Sequence, residues 1–162
     1  MEVEYLEKIK EFYGTHAKDV MRTDFPSIGP DEPMRKVIAE MSSRCLDHFW
    51  IVDGGKVVGV ITEKDLLRAT KKPLFGEEIA WGALDAKSLI FRTTKTAREM
   101  MTSRLFTCDP DTEVAVLIKL MADNRIRHLP VVDGGRIVGE VTVDCIVALV
   151  NNMFCSEKGC SL

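Results

Sequence analysis

Val52-Asp53-Gly54-Gly55 recurs 80 positions later in this chain as Val132-Asp133-Gly134-Gly135. The match extends without a gap over residues 17–62 and residues 97–142. Self-similarity at a fixed period indicates one supersecondary unit made twice, and a unit this small buries its apolar face only when its copy packs against it. The sequence therefore predicts a pseudo-twofold body with two equivalent clefts between its halves.

The composition is that of a soluble globular protein. Its 162 residues are 46% hydrophobic and 29% charged, which is enough for a core and argues against disorder. The net charge of -3 argues against a nucleic-acid-binding domain, because such domains carry a strong basic face. Glu2 and Glu4 stand where a secretory signal has basic residues, and no apolar run approaches the roughly 20 residues that span a bilayer. We therefore expect a cytoplasmic protein that does not enter a membrane.

The cysteines are also typical of a reducing compartment. Their number, five, leaves one unpaired in any disulfide scheme. Cys45, Cys108 and Cys145 lie within apolar patterns and are predicted to be small buried hydrophobic residues. Cys155 and Cys160 lie in a polar tail and could form half of a zinc knuckle, but zinc needs about four ligands and the other half is absent. We predict no metal site.

Each copy predicts the same order of elements. A Pro-Asp pair, Pro30-Asp31 or Pro110-Asp111, marks a helix start with Asp as the N-cap, and apolar residues follow at helical spacing. Two β-branched runs then flank an Asp-Gly-Gly turn, which is a strong hairpin signal because the turn requires positive φ. A second helix follows each hairpin, over residues 63–68 and about 143–151. The predicted fold class is α/β (α+β), with a short extended segment, helix, strand, strand and helix in each copy.

The predicted domains follow this repeat. They are residues 1–16 (N-terminal helix), 17–69 (first repeat), 70–95 (connection), 96–151 (second repeat) and 152–162 (tail). The N-terminal helix is predicted over residues 3–12, because apolar residues repeat there at helical spacing up to Gly14. The connection contains Trp81 and is too apolar for a free linker, so we expect it to pack on the repeats or on a partner.

The first hairpin leads into Gly59-Val60-Ile61-Thr62-Glu63-Lys64-Asp65, where a strand gives way to a helix. Thr62 and Asp65 have the spacing of a capping box, in which both side chains satisfy backbone amides. The same atoms could bind a ligand instead. Amides and the dipole at a helix N-terminus attract phosphate, the threonine hydroxyl adds a donor, and Gly59 lets a ligand approach the backbone. The carboxylate suits the two donating hydroxyls of a ribose, so this second interpretation predicts a ribose-phosphate site.

The duplicated pattern resembles a pair of CBS (cystathionine β-synthase) domains over residues 17 to about 150. The family signature is glycine, two apolar residues, Thr or Ser, two variable residues and then Asp or Asn, and the segment from Gly59 to Asp65 matches it throughout. Three further segments resemble the family's opening and its hairpin strand: Ala17-Lys18-Asp19-Val20-Met21, Ala97-Arg98-Glu99-Met100-Met101 and Arg127-His128-Leu129-Pro130-Val131-Val132-Asp133.

The resemblance implies a stand-alone Bateman module, with tandem pseudo-twofold repeats whose clefts bind adenosine derivatives. The candidate ligands are AMP, ADP, ATP and S-adenosylmethionine, as regulatory ligands and not as catalytic cofactors. The resemblance assigns phosphate contact to Thr62 and ribose contact to Asp65. It also places the adenine against backbone and apolar atoms near Ser27 and Ile28.

In the second copy the resemblance implies phosphate contacts from Arg127 and His128, and Thr142 is the counterpart of the first motif's threonine. An exposed arginine at a strand end and a half-buried histidine are the alternative interpretation of the first two residues.

The second copy departs from the signature. Cys145 stands where the ribose carboxylate belongs, and Asp144 comes one position early. One residue turns a helix by about 100°, so Asp144 is predicted to point elsewhere. Glu140 also interrupts the apolar pair of the signature. We therefore predict two unequal sites.

The expected function is regulatory. The sequence contains no Ser-His-Asp set, Walker loop, paired acids or His-Cys metal cluster, so we expect no enzyme activity. A stand-alone pair must act in trans, which predicts an adenine-nucleotide sensor with an effector protein as partner, and CBS pairs usually form homodimers. The alternative is a ligand-free CBS pair that serves in dimerisation or interaction.

Overall fold

The computed structural model of the protein describes residues 2–68 and 95–155. Residues 70–94 of the predicted connection, with Trp81, and Cys160 of the tail lie outside the described residues. The chain forms two compact units: Pro26–Leu105, called here the Thr62 unit, and Met1–Phe25 with Phe106–Leu162, called here the Thr142 unit. Each unit therefore contains the hairpin of one repeat and the opening segment (residues 17–22 or 97–102) of the other.

The described elements confirm the predicted order of helix, strand, strand and helix in each repeat. In chain order they are α1 (Glu2–Gly14), α2 (Ala17–Val20), β1 (Ser27–Ile28), α3 (Met34–Arg44), β2 (His48–Asp53), β3 (Lys56–Thr62), α4 (Glu63–Arg68), α5 (Ala97–Met100), α6 (Val114–Asn124), β4 (His128–Asp133), β5 (Arg136–Thr142) and α7 (Val143–Val150). A short π-helix over Asn151–Cys155 follows α7. None of the described helices has the length and apolar character needed to cross a membrane.

Each unit has one hairpin as its β layer. Strands β2 and β3 pair antiparallel in the Thr62 unit, and β1 adds to β2 in parallel. Strands β4 and β5 pair antiparallel in the Thr142 unit, where Cys108 forms a parallel bridge to Val131. Both turns place glycines at positive φ, for example 57° at Gly54 and 53° at Gly134. The predicted Asp-Gly-Gly hairpins are confirmed.

The predicted N-caps Asp31 and Asp111 are wrong. Helices α3 and α6 begin three residues later, and no side chain caps either of them. The N–H of Met34 instead donates to the carbonyl oxygen of Lys95 over 2.8 Å, and the start of α6 is satisfied in the same way. Backbone pairing over a long sequence distance therefore replaces the local capping that the Pro-Asp pattern predicted.

Each unit has its own core. That of the Thr62 unit consists of Ile28, Met34, Val37, Met41, Phe49, Ile51, Ile61 and Ala97. That of the Thr142 unit consists of Phe12, Ala17, Cys108, Val114, Leu117, Met121, Leu129, Val131 and Val141. Ala17 and Ala97 take the same place in the two repeats and are both fully buried. At both alanines the backbone N–H donates over 2.8 Å to the segment before a long helix, to Thr112 in the Thr142 unit and to Glu32 in the Thr62 unit, and a small side chain fits this close approach.

The prediction that Cys45 is buried is also wrong. Cys45 is exposed and follows α3 in the left-handed conformation, with φ of 51°, so it ends the helix instead of filling the core. Cys108 is buried as predicted, and desolvation raises the pKa of its thiol to about 11. Cys145 is half-buried.

Two glycines let the opening segments reach the hairpins. Gly59 in β3 packs against Met101, and Gly139 in β5 packs against Met21. A Cβ atom at Gly139 would lie 2.6 Å from Sδ of Met21 and 2.9 Å from the backbone oxygen of Arg22. The methionine can move, but the backbone oxygen is held in the β-bridge to Glu140.

We expect Gly139→Ala to lower the free energy of unfolding by about 1–3 kcal/mol, because the added methyl group overpacks this contact. Gly14→Ala is the matched control, since no heavy atom lies within 4 Å of a Cβ built there. Urea denaturation of both variants measures the difference. Equal stability of the two would show that the opening segment moves aside at little cost.

Candidate functional site

The first motif lies where β3 ends and α4 begins. Thr62 is the last residue of β3, Asp65 lies in the first turn of α4, and both are half-buried. Oδ2 of Asp65 accepts hydrogen bonds from the backbone N–H of Thr62 at 2.9 Å and from its hydroxyl at 2.8 Å. The carboxylate therefore caps the helix start, as one half of the capping box that the sequence allowed.

The other oxygen of Asp65 has acceptor capacity left. Among the described residues, the hydrogen bond recorded for Oδ1 is a long one, 3.5 Å from the hydroxyl of Thr102. A carboxylate oxygen has two lone pairs, so Oδ1 can accept from further donors. Capping and ligand binding are therefore compatible, because each uses a different oxygen of the same side chain.

The hydroxyl of Thr62 points its hydrogen at Asp65. A hydroxyl has one hydrogen, and this one is donated to Oδ2, so the remaining surface of the oxygen presents lone pairs. Contact with a phosphate requires the hydroxyl to rotate away from the carboxylate. At this residue the geometry favours the ribose part of the predicted site over the phosphate part.

The other predicted residues of the Thr62 unit lie on its sheet. Ser27 is exposed on β1, whereas Ile28 beside it is buried in the core. Gly59 is buried in β3, and the space of its missing side chain is taken by Met101. Ser27 is thus accessible from solvent, while Ile28 and Gly59 have clear packing roles.

In the second motif a thiol stands where the first motif has its carboxylate. Thr142 is 3% exposed and caps α7, and its hydroxyl accepts from the backbone N–H of Cys145 at 3.3 Å. Sγ of Cys145 also lies 3.3 Å from that hydroxyl. Asp144 is exposed on the first turn of the helix. The replacement of Asp65 by Cys145 in the second motif therefore changes the group that contacts the threonine from a carboxylate to a thiol.

Arg127 and His128 lie at the start of β4 in the Thr142 unit. Arg127 is exposed, and its carbonyl oxygen accepts from the backbone N–H of Val143 at 3.0 Å. His128 is half-buried and pairs with Thr142 across the hairpin. These three predicted ligand residues share one unit, whereas the other five belong to the Thr62 unit. A ligand contact from Arg127 and His128 stays a prediction.

Beside the second motif lies an ion pair that was not predicted from the sequence. Glu140 is fully buried in β5, and Oε1 accepts from the guanidinium of Arg22 at 2.6 Å. The side chain of Arg22 is half-exposed, and the hydrogen bond to Glu140 raises its pKa. The sequence signal for this ion pair was Glu140 itself, a charged residue within an apolar strand. Its partner could not be found, because it lies in the opening segment of the other repeat.

Comparison with known families agrees with this architecture. The family model described as CBS domain matches residues 17–72 and again residues 97–152. The chain belongs to the CBS-domain family. The two matches make it a tandem CBS pair, which confirms the resemblance and the predicted α+β fold class.

The pair is similar to proteins from several organisms. It is 25% identical over 146 residues to the CBS domain-containing protein YhcV of Bacillus subtilis (strain 168), covering 90% of this chain and 91% of that protein. The CBS domain of a CBS domain containing membrane protein from Sphaerobacter thermophilus matches with a TM-score of 0.72 at 22% identity, over 91% of this chain and 95% of that one. The CBS domain pair of protein MJ0100, solved in complex with methylthioadenosine and S-adenosyl-L-methionine, matches with a TM-score of 0.65 at 26% identity, over 85% and 97%.

We expect Arg22→Met to lower the free energy of unfolding by about 2–3 kcal/mol, because Glu140 loses its guanidinium donor while its carboxylate stays buried. The double variant Arg22→Thr/Glu140→Val should be more stable than Arg22→Met, since it removes the buried carboxylate and reproduces the pair Thr102 and Val60 of the other unit. Chemical denaturation of the two variants checks this. A single variant as stable as the double would contradict it.

Proposed function

We propose that this CBS pair is a regulatory, non-catalytic module that binds an adenosine derivative through Asp65 and acts in trans on an effector protein in the cytoplasm. The observation that supports it is the carboxylate of Asp65. Oδ2 is held by two hydrogen bonds from Thr62, and Oδ1 keeps acceptor capacity.

A carboxylate held in this way suits a ribose. The two adjacent hydroxyls of a ribose both donate, and a carboxylate accepts from both. Because Thr62 already fixes the rotamer, little side-chain entropy is lost when a ligand binds. Charge-assisted hydrogen bonds of this kind contribute about 1.5–3 kcal/mol, which is roughly ten- to a hundredfold in affinity.

The MJ0100 pair supports an adenosine ligand. It was solved with methylthioadenosine and S-adenosyl-L-methionine, two compounds that share adenine and ribose and carry no phosphate. The orientation of the Thr62 hydroxyl agrees with recognition of the part that these compounds share. AMP, ADP and ATP have the same adenosine. We propose that Arg127, His128 and Thr142 are phosphate contacts within the Thr142 unit. Ser27 and the backbone at Ile28 would hold the adenine.

We expect a moderate affinity. About 0.3 kcal/mol per heavy atom gives a mononucleotide roughly -7 kcal/mol, which is a dissociation constant on the order of 10 μM. Ligand at a hundred times that concentration stabilises the fold by about 2.7 kcal/mol, so the melting temperature should rise by several degrees.

A specific observation favours a second function, assembly. The eight residues of α7 include one charged side chain, Asp144, and none of the eight is buried within the chain. Val147 is 60% exposed and Val150 is 39% exposed. An apolar helix face with little charge is typical of a subunit interface. We propose that α7 contributes to a homodimer, with or without a bound ligand.

Asp65→Ala should weaken binding about ten- to a hundredfold and also lower stability by about 1 kcal/mol, because the side chain both accepts from the ligand and caps α4. Glu99→Ala is the matched control for the cap, since Glu99 accepts from the N–H of Thr96 at 2.8 Å and from its hydroxyl at 3.1 Å. Glu99→Ala should lower the stability and leave the binding unchanged. Cys145→Ser should change neither property much.

Calorimetric titration with AMP, ADP, ATP and S-adenosylmethionine, next to thermal unfolding, measures both effects. Binding by Asp65→Ala as tight as by Glu99→Ala would mean that Asp65 is only a cap. If the unmodified protein bound none of these four compounds, the proposed ligand binding would be contradicted and the assembly function favoured.

Val147→Glu should shift the protein from dimer to monomer, because it puts a charge into the proposed interface. Val3→Glu is the control, since Val3 is 70% exposed and lies on α1, not on α7. Light scattering should give twice the chain mass of 18.2 kDa for the unmodified protein and for the control. A mass of one chain for the unmodified protein at micromolar concentration would exclude the dimer.

A further inference from the structure

The opening segments meet the hairpins through the same backbone contact in both units. In the Thr62 unit, the N–H of Val60 donates to the oxygen of Thr102 at 3.0 Å, and the reverse bond is 2.9 Å. In the Thr142 unit, Glu140 and Arg22 exchange the same two bonds at 2.9 Å and 2.8 Å. Because the backbone is the same, the side chains at these two places can be compared directly.

The side chains at these places give the two motifs opposite hydrogen-bonding groups. In the Thr62 unit the opening segment supplies a short hydroxyl, Thr102, which points at the carboxylate of Asp65. In the Thr142 unit the same place is taken by Arg22, and Cys145 takes the place of the carboxylate. The first motif therefore presents a carboxylate, which accepts, and the second presents a guanidinium, which only donates.

Glu140 holds the guanidinium in this position. The carboxylate of Glu140 is fully buried, and the 2.6 Å contact fixes the end of the Arg22 side chain. In the Thr62 unit the hydroxyl of Thr102 lies 3.5 Å from Oδ1 of Asp65, and Arg22 and Cys145 take these two places in the Thr142 unit. A carboxylate introduced at position 145 would therefore lie within electrostatic reach of Arg22.

We propose that Arg22 and Glu140 together are specificity determinants that close the Thr142 motif to a ribose. The guanidinium of Arg22 only donates, so it cannot accept the hydrogens of the two ribose hydroxyls, and the buried carboxylate of Glu140 is already bound to Arg22. The absence of the carboxylate at Cys145 is thus only part of the difference between the two motifs. This inference rests on the proposed binding of an adenosine derivative at Asp65.

Three variants test the inference. Cys145→Asp restores the carboxylate alone, Arg22→Thr/Glu140→Val restores the neighbours alone, and the triple variant restores both. Val60 and Thr102 show that this backbone accommodates the replacements. Calorimetric titration with AMP, and with S-adenosylmethionine in parallel, counts the sites. Repeating the titration with 2′,3′-dideoxyadenosine 5′-monophosphate, which lacks both ribose hydroxyls, identifies the sites whose binding requires the diol.

We expect one diol-dependent site in the unmodified protein, in Cys145→Asp and in the double variant. The triple variant should show two, with affinities within about tenfold of each other. A second diol-dependent site in Cys145→Asp alone would overturn the inference, and so would its absence from a triple variant that melts cooperatively.

The converse variant does not depend on creating a site. Val60→Glu/Thr102→Arg places the ion pair beside the first motif and leaves Thr62 and Asp65 intact. We expect its affinity for AMP and S-adenosylmethionine to fall at least tenfold while the protein stays folded. Unchanged affinity would overturn the inference. Failure of the proposed function is seen separately, as no binding of either compound by the unmodified protein.

Discussion

Each unit of this protein depends on a short antiparallel contact between a hairpin strand and an opening segment from the other repeat. A glycine in the strand makes the contact possible, because a methionine of the opening segment occupies the space of the missing side chain. Two backbone hydrogen bonds then close it, with nearly the same lengths in both units. The contact leaves the neighbouring side chains free to differ, and this is how one backbone carries both a carboxylate motif and a guanidinium motif.

The elements that could be predicted are those determined by local chemistry. The hairpins follow from Asp-Gly-Gly turns that need positive φ, and the buried stripes of α3 and α6 follow from helical periodicity. The helix starts could not be predicted, because Met34 is satisfied by the carbonyl of Lys95 and not by Asp31. The short helices α2 and α5 were also missed, although Thr96 and Glu99 have capping-box spacing.

The same distinction applies to the candidate site. The duplicated motifs together were sufficient to suggest the family, but the pattern from Gly59 to Asp65 left capping and ligand binding as alternatives. The two roles are compatible, because one oxygen of Asp65 caps the helix and the other has acceptor capacity left. The ion pair of Arg22 and Glu140 was beyond any local pattern, since 118 residues separate its members.

That separation has a consequence for how a duplicated chain selects its own partners during folding. Because the two hairpins have the same strand register, each opening segment has two possible partners, and only one pairing gives the observed units. Arg22 next to Val60 would have no buried carboxylate to bind, and Glu140 next to Thr102 would lose a guanidinium. Burying that carboxylate away from the guanidinium of Arg22 is costly, so the mispaired chain is disfavoured. A charge pair present in one unit and absent from the other thus distinguishes two otherwise interchangeable halves.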